Sequence, residues 1–139
     1  MTNFESSLKT IYNNRKPVFG FLSNLSNFRS LLPEGTVKNF QVDNDRCSFS
    51  VDGLGNIGVR MVSADPDNKI KFESEGAVPF RFNLLVELEE KGDNITTMKL
   101  LFDAELNMMM KMVAQKPIED GLEMIASKLS DHLNGSQLS

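Results

Sequence analysis

The sequence predicts an α+β domain, an antiparallel sheet of six to seven strands closed by one long C-terminal helix. Three observations predict it. Between Thr36 and Leu106 apolar and polar residues alternate with period two, the mark of strands with one buried and one wet face. Short turn segments (DNDR, DGLGN, ADPDN, EGAVP and EKGDN) separate the alternating runs, a spacing that favours a meander of neighbouring strands. The period then lengthens to that of a helix from about Asn107 to Leu133.

The first segment, FESSLKTIY, reads as a strand. In RKPVFGFLSNLSNFRSLLPEG, Pro17 suits a first helical turn, where its missing N–H costs nothing. Val18, Phe19, Phe21, Leu22 and Leu25 recur at helical spacing. Ser26 or Asn27 can cap a second short helix carrying Phe28, Leu31 and Leu32, which Pro33 and Gly35 end. The strands follow. Val37 to Val42 is the next, and CSFSV then sets Cys47, Phe49 and Val51 against Ser48 and Ser50. NIGVRMVSA sets Ile57, Val59 and Met61 on one face, and KIKFESE does the same with Ile70, Phe72 and Ser74. FRFNLLVELEE places Phe80, Phe82, Leu84, Val86 and Leu88 inward, and TTMKLLFDAEL places Met98, Leu100, Phe102, Ala104 and Leu106 inward. Arg81, Glu87, Lys99 and Asp103 fall on the opposite parity, as exposed cross-strand pairs.

The 139 residues fit one domain, residues 1–139, with 134–139 expected as a frayed polar tail. Apolar residues make up 40% and charged residues 24%, a soluble globular balance. The net charge of −4, with no basic stripe, argues against a nucleic-acid partner. One cysteine permits neither an internal disulfide nor a cysteine zinc site. MTNFESSLK has no apolar leader core, and no run is long enough to span a bilayer. The expectation is a cytoplasmic protein that is not integral to a membrane.

Residues 53–58, GLGNIG, match the G-x-G-x-x-G fingerprint of a dinucleotide loop, with Glu73 and Glu75 about twenty residues on. Such a loop must open a helix, because the helix N-terminus binds the pyrophosphate. Here VRMVSADP follows, with period two and a β-branched bias. The stretch therefore reads as a hairpin in which Gly53 or Gly55 takes positive φ, and Gly58 marks a bulge or a close backbone approach. No nucleotide-binding residue is expected.

The order strand, helix pair, meander, long helix resembles the START-like helix-grip superfamily, also called SRPBCC or polyketide cyclase-like. The local cue is KPVFGFLSNLSNFRSLLPEG: a Pro start, a Val-Phe-x-Phe-Leu core, an Asn break and a Leu-Pro end. It is most similar to the small bacterial carbon monoxide dehydrogenase G-like members. The resemblance covers essentially the whole chain. It implies a curved sheet wrapped around the last helix, with a cavity between them. Its members span lipid and hormone carriers, aromatic-polyketide cyclases, oxygenase domains and chaperone co-factors, so it does not name a function. No Cys/His iron or Rieske set is present, and no cyclase residue motif matches.

Along the inward faces Cys47 is the only ionisable residue. Nothing near it in sequence lowers its pKa, and a buried thiol behaves as a small apolar group. His132, the single histidine, lies near the end of the last helix, where it suits the dipole. Neither a catalytic residue, a metal ligand nor a cofactor is expected. The candidate site is the cavity, lined by Phe49, Val59, Met61, Phe72, Phe82, Leu84, Leu100 and Phe102 from the sheet, and by Met109 and Val113 from the helix. An apolar lining suits a lipid-like or aromatic ligand, and the same phenylalanines packed together would fill the space.

MMMKM at 108–112 carries a second candidate. At about 100° per residue, Met108, Met109, Met110, Met112 and Val113 cover roughly 200° of a helix, twice a usual apolar stripe. Ile118, Leu122, Ile125, Leu129 and Leu133 make a clean stripe nearly opposite. Pro117 stands between the halves. In one reading it re-phases the helix and turns the methionines inward as pliable filler at the cavity mouth. In the other they stay outside as a contact patch for a second copy, an accessory protein or a membrane surface. Binding module, interaction protein and cyclase- or hydratase-type enzyme are the three functions weighed, with the binding module first and the enzyme last.

Overall fold

A computed structural model describes residues 1–29, 31, 32, 35, 37–65 and 68–135. In chain order the elements are β1 (Thr2–Glu5), β2 (Lys9–Ile11), α1 (Arg15–Leu22), a 3-10 turn (Leu25–Phe28), β3 (Val37–Asp43), β4 (Arg46–Val51), β5 (Gly55–Asp65), β6 (Lys69–Ser74), β7 (Phe82–Gly92), β8 (Ile95–Ala104) and α2 (Met108–Gly135). The strands form one eight-stranded sheet in the order β1-β8-β7-β6-β5-β4-β3, with β2 also on β8. Every pairing is antiparallel.

All eighteen apolar inward residues named above, Cys47 to Leu106, belong to one core cluster or pack against it, together with the stripe Ile118, Leu122, Ile125, Leu129 and Leu133. Period two thus aimed each strand, and period 3.6 aimed the helix. The helix packs on β1, β2 and β8, the sheet side on which its second half is anchored.

The first segment is two short strands rather than one. Glu5 pairs Leu101 and Lys9 pairs Met98, so β1–β2 carries one extra residue over that span. Ser6 bridges the break. Its N–H donates to the Leu100 carbonyl and its Oγ accepts from the Leu100 N–H, each at 2.9 Å. The displaced Ser7 is caught by Glu123 of α2, whose carboxylate accepts from the Ser7 N–H at 2.8 Å and from its hydroxyl at 2.7 Å. Lys9 Nζ joins the same carboxylate at 2.9 Å.

The helix end is fastened in the same manner. Asn134 Oδ1 accepts from the Tyr12 N–H at 2.6 Å, and its Nδ2 donates to the Thr10 carbonyl at 3.2 Å. Asn13 Nδ2 donates to the Leu133 carbonyl at 3.1 Å. Asn134, expected in the polar tail, closes the helix onto β2; residues 136–139 lie outside the described residues.

Asn14 caps α1 by accepting from the Lys16 N–H at 3.0 Å, and Pro17 stands in the first turn. Asn24, rather than Ser26 or Asn27, caps the 3-10 turn through the Ser26 N–H. Asn27 instead donates to the Phe21 carbonyl at 2.9 Å, tying turn to helix. Pro33, read as a stop signal, and Pro66, in the segment ADPDN read as a turn, lie outside the described residues. Gly53 and Gly55 have φ of +85° and +105°, as the hairpin reading requires. A Cβ at Gly58 would collide with the Glu75 carbonyl, while Glu75 N–H donates to Gly58 O at 2.8 Å; Gly58 is a close approach. Of the charges expected in exposed cross-strand pairs, Lys99 makes one across β8 and β1. Glu87 stands opposite Lys99 in register, yet Lys99 Nζ reaches Glu5 on β1 at 3.1 Å.

These contacts hold the Glu123 carboxyl down at about 2 against its ordinary 4.5, first through the Ser7 backbone N–H and then through Lys9 and the Ser7 hydroxyl. A depressed folded pKa contributes stability that is present above the unfolded value and lost as pH falls through the folded one. Glu123→Gln should therefore be less stable than wild type at pH 6, and the gap should close between pH 4.5 and 2. Urea unfolding across that range checks it, and a constant gap would refute the assignment.

Candidate functional site

The concave face of the sheet and the inward face of α2 do not meet everywhere. Between them lies a cavity of about 490 Å³, within the range of small-ligand sites. Three features keep it open. Gly121 on α2 has nothing within 4 Å of where a Cβ would stand. Pro117 on the same helix offers only its ring. The phenylalanines are braced against one another along the walls: Phe82 stacks on Phe102 at 5.1 Å, Phe40 on Phe49 at 6.1 Å, and Phe28 meets Phe72 edge-on at 6.1 Å. Arg29 covers the Phe40 ring at 5.2 Å.

Of the ten residues expected to line the cavity, eight do: Phe49, Val59, Phe72, Phe82, Leu84, Leu100, Phe102 and Val113. Met61 and Met109 do not. Met61 faces the core as its parity requires, but parity names a face and not a position along the trough. Met109 is 80% exposed. Counting back from the stripe by fours, Ile118, Ala114 and Met110 turn inward, so Met108, Met109, Met112 and most of Val113 turn out. Pro117 sits inside a continuous helix and does not re-phase it. Met108 and Met112 are 84% and 81% exposed, which overturns the reading that packs them inward. Val113 is 65% exposed and forms the cavity rim.

Sequence reasoning did not place Leu25, Phe28, Val37, Phe40, Ile118, Gly121, Leu122 or Ile125 in the lining. The helix stripe carried that signal for Ile118, Leu122 and Ile125. Phe40 was hidden by a bulge. Lys38 pairs Ser50 and Gln41 pairs Ser48, so β3 gains a residue around Asn39, whose φ is +58°. Val37 and Phe40, three apart, then share one face.

Ionisable groups are sparse. Among the described lining residues they are Cys47 and Asp52. Asp52 stands at the rim, 61% exposed, with Lys38 Nζ at 3.8 Å. Burial pushes the Cys47 thiol up to about 11, so it is protonated at neutral pH. His132 lies outside the lining, against the Phe21 ring at 4.7 Å. Among the described residues no group of three or more His, Cys, Asp or Glu could hold a metal ion, and no helix is long and apolar enough to cross a membrane.

A curved antiparallel sheet gripping a long C-terminal helix over an open apolar cavity is the helix-grip architecture. No family model matches the chain, and no curated protein matches it. Solved structures do. Truncated norcoclaurine synthase from Thalictrum flavum superposes with a TM-score of 0.77 at 10% identity, covering 98% of this chain and 95% of that one. The same synthase in complex with dopamine and hydroxybenzaldehyde gives 0.74 at 11%, covering 94% and 84%. A protein from Thermus thermophilus gives 0.71 at 15%, covering 95% and 97%. At such identities the likeness is one of fold, the helix-grip fold.

Cys47 should be unreactive in the folded protein. Labelling by a thiol-specific disulfide reagent at pH 8 is expected to run at least about ten-fold slower than in denaturing urea, since only the thiolate attacks. Equal rates would mean that the cavity wall is open to water at Cys47.

Proposed function

We propose that this protein is a non-enzymatic binding module holding one small apolar ligand, lipid-like or aromatic, between the sheet and α2. The observation that carries the reading is the 490 Å³ cavity with an almost wholly hydrocarbon lining. Apolar ligand surface moved from water onto such walls gains roughly 25 cal/mol per Å². Acid–base catalysis needs titratable groups positioned on the reacting atoms, and the lining offers one exposed carboxylate and one protonated thiol. That a synthase shares the fold does not transfer its chemistry. Native mass spectrometry of gently purified protein should reveal a bound apolar species of one copy per chain. Val59→Phe, which fills space on the β5 wall, should weaken binding of that species at least about ten-fold with the fold retained. Unchanged affinity would move the ligand out of the cavity.

A second reading rests on the exposed Met108, Met109 and Met112. Such a patch on α2 fits an accessory role in which the domain meets a second copy, a partner protein or a membrane surface. It accords with the proposed kinship to carbon monoxide dehydrogenase G-like members, carried by the helix-pair motif, and with a cytoplasmic location. Replacing the three methionines by Ser should abolish self-association in sedimentation, or vesicle flotation, without lowering thermal stability. If the wild type is a monomer and stays off vesicles, the patch has neither role.

A further inference from the structure

Among the described lining residues the charged side chain, Asp52, stands at one end of the cavity, and this constrains what can occupy it. The deep wall is Phe72, Leu100 and Phe82, each no more than 6% exposed. The peptide groups behind these walls are engaged in the β5–β8 ladders. The buried polar side chains Ser6, Thr96, Thr97 and Ser130 lie outside the lining. Ser6 and Thr96 are already spent on Leu100 N–H and the Asn13 carbonyl. Cys47 supplies only a protonated thiol, a weak donor. The rim is different. There Asp52 and Gly53 form the β4–β5 turn, with Lys38 beside Asp52 at 3.8 Å, and the exposed Val113 stands on α2.

We propose that the cavity selects single-headed ligands, with an apolar body inside and all polar atoms at one end, against the Asp52–Gly53 turn. This rests on the binding-module reading and names its ligand class. A hydroxyl at the inner end would be buried without a partner. That costs about 1–3 kcal/mol, or roughly five- to 150-fold in affinity. A hydroxyl at the outer end keeps its water or meets Asp52 and Lys38, and costs little. Compounds with polar groups at both ends are therefore excluded, even when their size fits.

Two isomers separate the cases, because they carry the same atoms and differ only in where the second hydroxyl lies. 3,4-Dihydroxybiphenyl has both on one ring end; 4,4'-dihydroxybiphenyl has one at each end. Titration of the purified protein, followed by ligand fluorescence with 4-hydroxybiphenyl as reference, should give comparable affinities for the reference and the 3,4-isomer. The 4,4'-isomer should bind at least about five-fold more weakly. Equal binding of the two isomers would overturn the single-headed class while leaving the cavity reading intact. No binding by the reference or either isomer would overturn both.

Discussion

Helix α2 is fastened to the sheet along its second half and stands free along its first. Ala126, Leu129 and Leu133 are fully buried, each large one contributing about 1.5–3 kcal/mol by leaving water. Glu123 and Asn134 hook the same half onto the β1–β2 segment. Toward the N-terminus Ala114 is buried while Met108, Met109 and Met112 face solvent. The sheet does not shorten to match: β5 and β7 run eleven residues each, continuing past where the helix grips. A space is left where long strands and a one-sided anchor diverge. The extra residue between β1 and β2 is part of the same device, since it turns Ser7 outward to the carboxylate that holds the helix.

The chemistry of that space follows from strand parity. Because the strands send most polar side chains to the convex face, the described cavity walls are hydrocarbon apart from Cys47 and the rim carboxylate of Asp52, and desolvation silences the thiol. Recognition there must work through shape and exclusion of water. Phenylalanine suits this. Rings braced in pairs form rigid walls with little rotamer entropy left to lose when a ligand arrives.

The fold was largely legible in the sequence, and the cavity partly so. Alternation assigned every inward residue from Cys47 to Leu106 because a period of two leaves no freedom once one face is buried. It failed where the chain breaks its own period: at Asn39, whose left-handed backbone brings Val37 and Phe40 to one face, and between Glu5 and Lys9, where two strands read as one. GLGNIG was resolved by context, since a strand follows it. The methionine run was misjudged through Pro117. A proline inside a helix costs a hydrogen bond and a steric adjustment, but the stripe from Ile118 to Leu133 is long enough to set the phase for the turns before it. Val113 was rightly placed in the lining by the same helix that carries Met109 outward, because a rim residue belongs to both faces.

The bulge in β3 has a consequence beyond the placement of Phe40. β3 ends the sheet order, so among the described residues its outer N–H and C=O groups have no neighbouring strand. A flat strand in that position would invite another chain to add on and propagate into aggregates. The irregularity between Lys38 and Gln41 twists this border out of register with any straight incoming strand, and Lys38 and Asp43 place charge along it. The feature that brings an aromatic ring to the cavity also guards the sheet against growing.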